Sequence, residues 1–170
     1  RDKGIDLLLE ALAACPTDTP ITLTLVGSDH GGYTEQMQAL AARLHLEDKV
    51  QFLGSRTDVP QLLQAADLFV HPATCQEGFG ITLIEAMASG VPCLAFPKGA
   101  IPEIIGPEID GFLTEEVSAA ALTAGINRAL ELFTKAPHHW HTLCKNARQK
   151  AELFSIERTV AQLEALYQEQ

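Results

Sequence analysis

The chain has 170 residues, 46% hydrophobic and 20% charged, with 12 basic against 22 acidic side chains and a formal charge of -10. That is the size of one domain with enough apolar material for a full core, and the composition is far from that of a disordered chain. A negative chain without a run of lysines or arginines is a poor surface for nucleic acid or anionic membrane, so an anionic ligand must be met by a few locally placed cations. Cys15, Cys75, Cys93 and Cys144 are far apart and form no Cys-x-x-Cys pair, which reads as free thiols in a reducing cytoplasm. No segment approaches the roughly 20 apolar residues of a membrane span, and no leader pattern opens the chain.

In chain order, Gly4 to Ala14 carries a helical apolar face closed by Cys15-Pro16, and the β-branched run Ile21 to Val26 predicts a strand. A turn cluster from Gly27 to Gly32 and an amphipathic helix from Tyr33 to Leu46 follow. The unit recurs as strand Val50 to Leu53 and helix Asp58 to Ala66, strand Leu68 to His71 and helix Thr82 to Ala88, and strand Cys93 to Phe96 and helix Ile101 to Ile105. Leu113 is expected to begin one more short strand. Helices alone follow, from Ser118 to Thr134, His138 to Phe154 and Ser155 to Gln170, with Pro137 separating the first two.

Short apolar strands alternating with helices predict an α/β fold, a doubly wound parallel sheet with C-terminal helices, as one domain over residues 1–170. Such domains usually begin on a strand. The helix-first start leads to the expectation of a cut chain whose first strand lies upstream, the alternative being a domain that happens to start on a helix.

Ligands of open α/β sheets bind beyond the carboxyl ends of the strands, where helix N-termini point at the crevice. The segments there are Gly27 to Gly32, Gly54-Ser55-Arg56-Thr57, Pro72 to Gly80 and Pro97-Lys98-Gly99. The densest stretch runs from Glu77 to Pro92. Gly78 and Gly80 flank Phe79 just before a helix, which leaves bare amides to hold phosphate or sugar oxygens. Glu77 precedes that helix and Glu85 lies about a turn into it, so both carboxylates can accept from the hydroxyls of one ligand. Thr82 and Glu85 also have the spacing of a capping box, in which Glu85 serves only the helix end. On their own, Glu77 reads as a solvated loop acid, Gly78 and Gly80 as turn residues and Lys3 as an exposed lysine. His138, His139 and His141 around Trp140 read as helix surface, so no metal site is assigned, and Cys75 lacks a partner base. The Gly27 to Gly32 loop is neither a dinucleotide fingerprint nor a P-loop.

Together these residues resemble the C-terminal donor-binding domain of the glycosyl transferases group 1 family, retaining enzymes built from two Rossmann-like domains in the GT-B arrangement. The resemblance rests on Lys3-Gly4 opening a helix, LVGS at Leu25 to Ser28, FLG at Phe52 to Gly54 and ADLFVHPA at Ala66 to Ala73. It continues through EGFGITLIEAMASGVPCLA, IPEII at Ile101 to Ile105 and DGFLT at Asp110 to Thr114. It implies that Glu77 binds the donor sugar and Glu85 the ribose. It also implies that Gly78, Phe79, Gly80 and Thr82 lie along the sugar and diphosphate, that Lys3 offsets leaving-group charge, and that Gly54 and Arg56 lie near the base. The donor would be a UDP-, GDP- or ADP-sugar, used without a metal or other cofactor.

The acceptor would be a glycan or lipid-linked molecule held through a missing N-terminal domain, which is compatible with peripheral membrane association of the parent protein. The isolated piece is then expected to bind nucleotide but not to turn over. Two departures stand out: Lys98-Gly99-Ala100 occupies a position where a glycine pair is commoner, and the glycine-rich strand and arginine usually found shortly before Lys-Gly have no assigned counterpart, the strand being absent and Arg1 not identified with that arginine. Half of a nucleotide-sugar epimerase and a non-catalytic nucleotide-binding module are the alternative readings.

Overall fold

The computed structural model describes residues 2–16, 20–29 and 31–168. Arg1, His30 of the first loop and the last two residues of the expected final helix lie outside them. Helix α1 (Ile5–Ala13) is followed by β1 (Leu23–Val26), α2 (Tyr33–Arg43), β2 (Val50–Gly54), α3 (Val59–Gln64) and β3 (Phe69–His71). Then come α4 (Ile81–Ala88), β4 (Cys93–Ala95), α5 (Ile101–Ile104) and β5 (Gly111–Leu113). The chain finishes with α6 (Ala119–Lys135), α7 (Pro137–Ala151), a 3-10 turn (Glu152–Phe154) and α8 (Ile156–Gln168).

Local chemistry explains most of the boundaries. Helix α2 stops three residues short of the expected Leu46, because the backbone reverses at His45 with φ 56°. Ser118 is extended and its hydroxyl accepts from the Ala121 amide at 3.1 Å, which starts α6. Pro137 opens α7, where its missing N–H costs nothing. Leu113 ends β5 rather than beginning it, since the strand starts at Gly111, whose added Cβ would lie 2.6 Å from the Cys93 carbonyl oxygen.

Among the described residues all ladders are parallel, as expected for βαβ crossovers, but they form two pieces. β1 pairs with β2 from Leu23↔Val50 to Val26↔Gly54, with a register shift between Leu25 and Val26. β4 lies between β3 and β5, with Phe69↔Cys93 and Cys93↔Gly111 in register. No ladder joins β1 to β3. Even so, Leu23 and Leu25 of β1 and Val70 of β3 pack against one core cluster, with Leu8 and Ala11 of α1 and Leu122, Ile126 and Leu132 of α6.

A second cluster sits on the opposite side of β4, where Leu83, Ala86 and Met87 of α4 meet Ile101, Ile104 and Ala147. A third fills the space between α1, α2 and β2. Helix α8 has no buried residue, and Ile156, Val160, Leu163, Leu166 and Tyr167 are exposed along it. Among the described residues no helix is long and apolar enough to cross a membrane. The four cysteines are unpaired.

Candidate functional site

The chemistry-bearing loops gather at the carboxyl ends of β3 and β4, and the first residues of the chain are stitched to them. The Thr74 amide donates to the Asp2 carbonyl at 3.0 Å, and the Thr74 hydroxyl donates to the same oxygen at 3.4 Å. Gly4 caps α1 with φ 63°, and a Cβ there would stand 1.9 Å from the Pro72 carbonyl oxygen. Only glycine fits both the left-handed turn and the close approach. The stitch places Lys3 beside the end of β3, near enough for its charge to depress the basicity of His71. Lys3 is exposed and makes no ion pair with another described residue.

Glu77 is held at both backbone and side chain. Its carbonyl accepts from the Ala100 amide at 2.9 Å, and a Cβ on Gly99 (φ 58°) would lie 2.1 Å from that oxygen. Its carboxylate Oε1 accepts from the Gly80 amide at 3.2 Å, while Oε2 stands 3.4 Å from Nε2 of His71. The Gly80 amide foremost, then the Phe79 amide, His71 and the Gly78 amide, hold the Glu77 carboxyl below the usual range against the opposing effect of burial. Glu77 is therefore an anion at neutral pH. Burial lowers the His71 imidazole below its ordinary value, so it is neutral there. Its Nε2 is buried and makes no hydrogen bond within the described structure.

Gly80, with φ 72°, is the N-cap of α4, so the Thr82–Glu85 capping box does not form: Thr82 is already the second helical residue. The function expected of that box passes to Glu77, whose side chain serves the helix start and uses one of the amides expected to be free. Phe79 projects beside the loop, 55% exposed and edge-on to Phe154 at 6.2 Å. Ile81, Thr82 and Glu85 are exposed while Leu83, Ala86 and Met87 face the core. Glu85 lies on the exposed face of α4, about one turn after the Gly78–Gly80 loop, and its carboxylate makes no hydrogen bond or ion pair with the described residues.

Gly54 ends β2 and its carbonyl accepts from the Gly27 amide at 3.0 Å, which brings the loops after β1 and β2 together. Arg56 is exposed and bidentate to Asp58, at 2.8 and 2.7 Å, so part of its guanidinium is already engaged. No group of three or more His, Cys, Asp or Glu among the described residues is placed to hold a metal ion. His71 and the fit of Gly99 against Glu77 are not among the site features expected from the sequence. A histidine closing an apolar strand just before a proline was the available signal for the first. The second arises between segments 22 residues apart in sequence and has no local signal.

Residues 1–150 match the family described as glycosyl transferases group 1. The chain is 34% identical over 166 residues to N-acetyl-alpha-D-glucosaminyl L-malate synthase of Bacillus anthracis, covering 97% of this chain and 42% of that protein. Its fold superposes on Anabaena HepE in complex with UDP with TM-score 0.84 and 33% identity, over 96% of this chain and 45% of HepE. A glycosyltransferase from Rickettsia africae gives TM-score 0.91 at 26% identity, over 99% of this chain and 45% of its own. The chain thus spans less than half the length of these relatives. It belongs to the glycosyl transferases group 1 family, and its fold is the C-terminal Rossmann-like half of the GT-B arrangement.

Proposed function

We propose that this chain is the donor-binding half of a retaining glycosyltransferase that takes a nucleotide-diphosphate sugar and passes the hexose to a glycan or lipid-linked acceptor. The observation that carries the reading is the convergence of Lys3 and Glu77 on His71, beside a helix N-terminus that opens on Gly78-Phe79-Gly80. A cation, an anchored carboxylate and backbone amides together suit a ligand with a diphosphate at one end and hydroxyls at the other. HepE, a structural relative, is known in complex with UDP-glucose.

In this reading the diphosphate lies between Lys3 and the start of α4. Lys3 offsets the negative charge that grows on the leaving phosphate as the glycosidic bond breaks, an effect realised only as the reaction proceeds. The free edge of the Glu77 carboxylate accepts from sugar hydroxyls and sets the orientation of the ring. Phe79 covers the sugar, Thr82 lines the phosphate end, Glu85 accepts from the ribose, and the loop through Gly54 and Arg56 borders the base. Lys3 and α4 supply the positive field, so the donor is bound without a divalent ion.

Calorimetry of the chain with UDP, GDP and ADP and their sugars in EDTA tests this. Micromolar to millimolar binding of at least one pair is expected, whereas binding seen only with added Mg²⁺ would exclude the metal-free site. Transfer by the longer protein separates an enzyme from an epimerase half or a nucleotide-binding module. The acceptor domain is proposed to lie upstream in that protein, which works in the cytoplasm.

A further inference from the structure

His71 closes β3 at the point where the strand delivers the chain to the site, and its side chain is only 11% exposed. Its ring stacks on Phe69 of the same strand, with centroids 6.4 Å apart and planes at 28°, which restricts its rotation. Nε2 has no hydrogen bond, yet it lies 3.4 Å from Oε2 of Glu77. A buried polar nitrogen without a partner costs free energy unless a small movement completes a bond. The carboxylate is the polar group at hand. Oε1 is already fixed by the Gly80 amide, so rotation about that bond is the freedom left to the carboxylate.

We propose that His71 is a positioning residue for Glu77: the neutral imidazole donates its Nε2–H to Oε2 and, with the Gly80 amide on Oε1, sets the plane of the carboxylate that meets the donor sugar. This rests on the reading of Glu77 as the sugar-binding carboxylate. The charged groups bearing on the ring are Glu77, whose charge favours the protonated imidazole, and Lys3, whose charge opposes it. The neighbouring strand β4 adds only the buried Cys93, which lies opposite Phe69 in register, and α4 adds the exposed Glu85. Burial outweighs the carboxylate, so the ring stays neutral at pH 7 and keeps one N–H to give. The assignment predicts a division of labour. His71 should matter for the affinity gained from the sugar and not for the affinity of the nucleotide alone.

The test measures binding of UDP against UDP-glucose, and of GDP against GDP-mannose, to the chain and to His71→Phe, His71→Gln and Glu77→Gln. His71→Phe keeps the ring and removes the donor, and it should lose roughly fivefold of the affinity gained from the sugar. His71→Gln restores a donor near the Nε2 position and should stay within about twofold of the parent chain. Nucleotide-only affinity should be unchanged in both. NMR titration of the His71 ring gives an independent reading: Glu77→Gln removes a nearby negative charge, so the imidazole pKa should fall. That measurement and His71→Gln decide the matter even if His71→Phe fails to fold.

If Glu77→Gln abolishes the sugar-dependent gain while His71→Phe retains it, the positioning role is overturned and the Glu77 assignment stands. The same holds if His71→Gln loses the gain outright, or if the ring titration ignores Glu77→Gln. A chain that binds no donor, or a Glu77→Gln variant that keeps the full gain, overturns the functional reading and this proposal with it.

Discussion

The two pieces of the sheet differ in depth. β4, at the centre of the three-stranded piece, is buried at all three positions, whereas β1 alternates between half-buried and exposed residues and β2 is fully buried only at Val50. The site follows the deeper piece. His71, Glu77 and the Gly99 turn are carried by segments bordering β3, β4 and α4, and Lys3 is tied to them through Thr74. The β1–β2 piece carries only the loop assigned to the base. In the proposed reading, the segments that hold the sugar-binding carboxylate rest on the best-packed part of the core, and the loop that borders the base rests on the shallower one.

That contrast fails if the two pieces respond alike to truncation. Leu94→Ala in β4 removes a fully buried side chain between α6 and the sheet and should cost about 2–5 kcal/mol. Leu25→Ala in β1, only half-buried, should cost less than half as much. Urea denaturation of the two variants gives the comparison.

The break between the pieces is the next test. With β1 and β3 unpaired, the order β2-β1, gap, β3-β4-β5 is the doubly wound order lacking one central strand. We propose that a strand supplied from upstream of residue 1 fills it. Adding the roughly 10–15 residues needed for a strand and its turn should raise the melting temperature by about 5 °C or more, since each kcal/mol is worth about 2–4 °C at this size. It should also reduce light scattering, because a paired edge no longer recruits other chains. Equal melting points would remove the proposed strand.

Within the site, Glu85→Gln should weaken nucleotide binding by roughly tenfold or more, the value of about 1.5–3 kcal/mol for a charge-assisted hydrogen bond. Its melting temperature should hold, because the carboxylate supports nothing else in the fold. Calorimetry and a melt on one sample read both. Gly99→Ala should cost about 1–2 kcal/mol for the left-handed backbone alone. It should also reduce sugar-dependent affinity, because the Glu77 backbone must retreat.

Much of this was legible in the sequence. Every expected strand is present, because four to six apolar residues between turn clusters leave little choice. Lys3-Gly4 stands out as a helix opening and Glu77 to Glu85 as a separate local string, and their roles in the site are proposals. The capping role differs for a physical reason: the spacing of Thr82 and Glu85 fits a box, but the left-handed Gly80 caps the helix two residues before Thr82 and gives its amide to Glu77. The sheet break, the Gly99 fit and the His71 contact are tertiary facts that no local pattern encodes.

The smallest effect expected is a pH dependence. The Glu77 carboxyl titrates below its ordinary 4.5 in the folded chain. Its stabilisation is therefore complete above the unfolded value and is lost as the pH falls through the folded one. The stability gap between the chain and Glu77→Gln, about 1 kcal/mol as for other side-chain caps of helix starts, should be constant near neutrality and close below about pH 4.5. A gap that widened in acid would mean that Glu77 is buried uncharged.

The stitch between Asp2 and Thr74 also bears on the order of events in folding. It closes a loop of 72 residues, so it forms only after the intervening strands and helices have brought its ends together. In the proposed reading Lys3 would then reach the diphosphate site late. Partly folded chains, including those with the β4 core already formed, should be blind to the diphosphate. Ligand capture during refolding would then report the last long-range closure rather than collapse, and a nucleotide added early should slow unfolding without speeding folding.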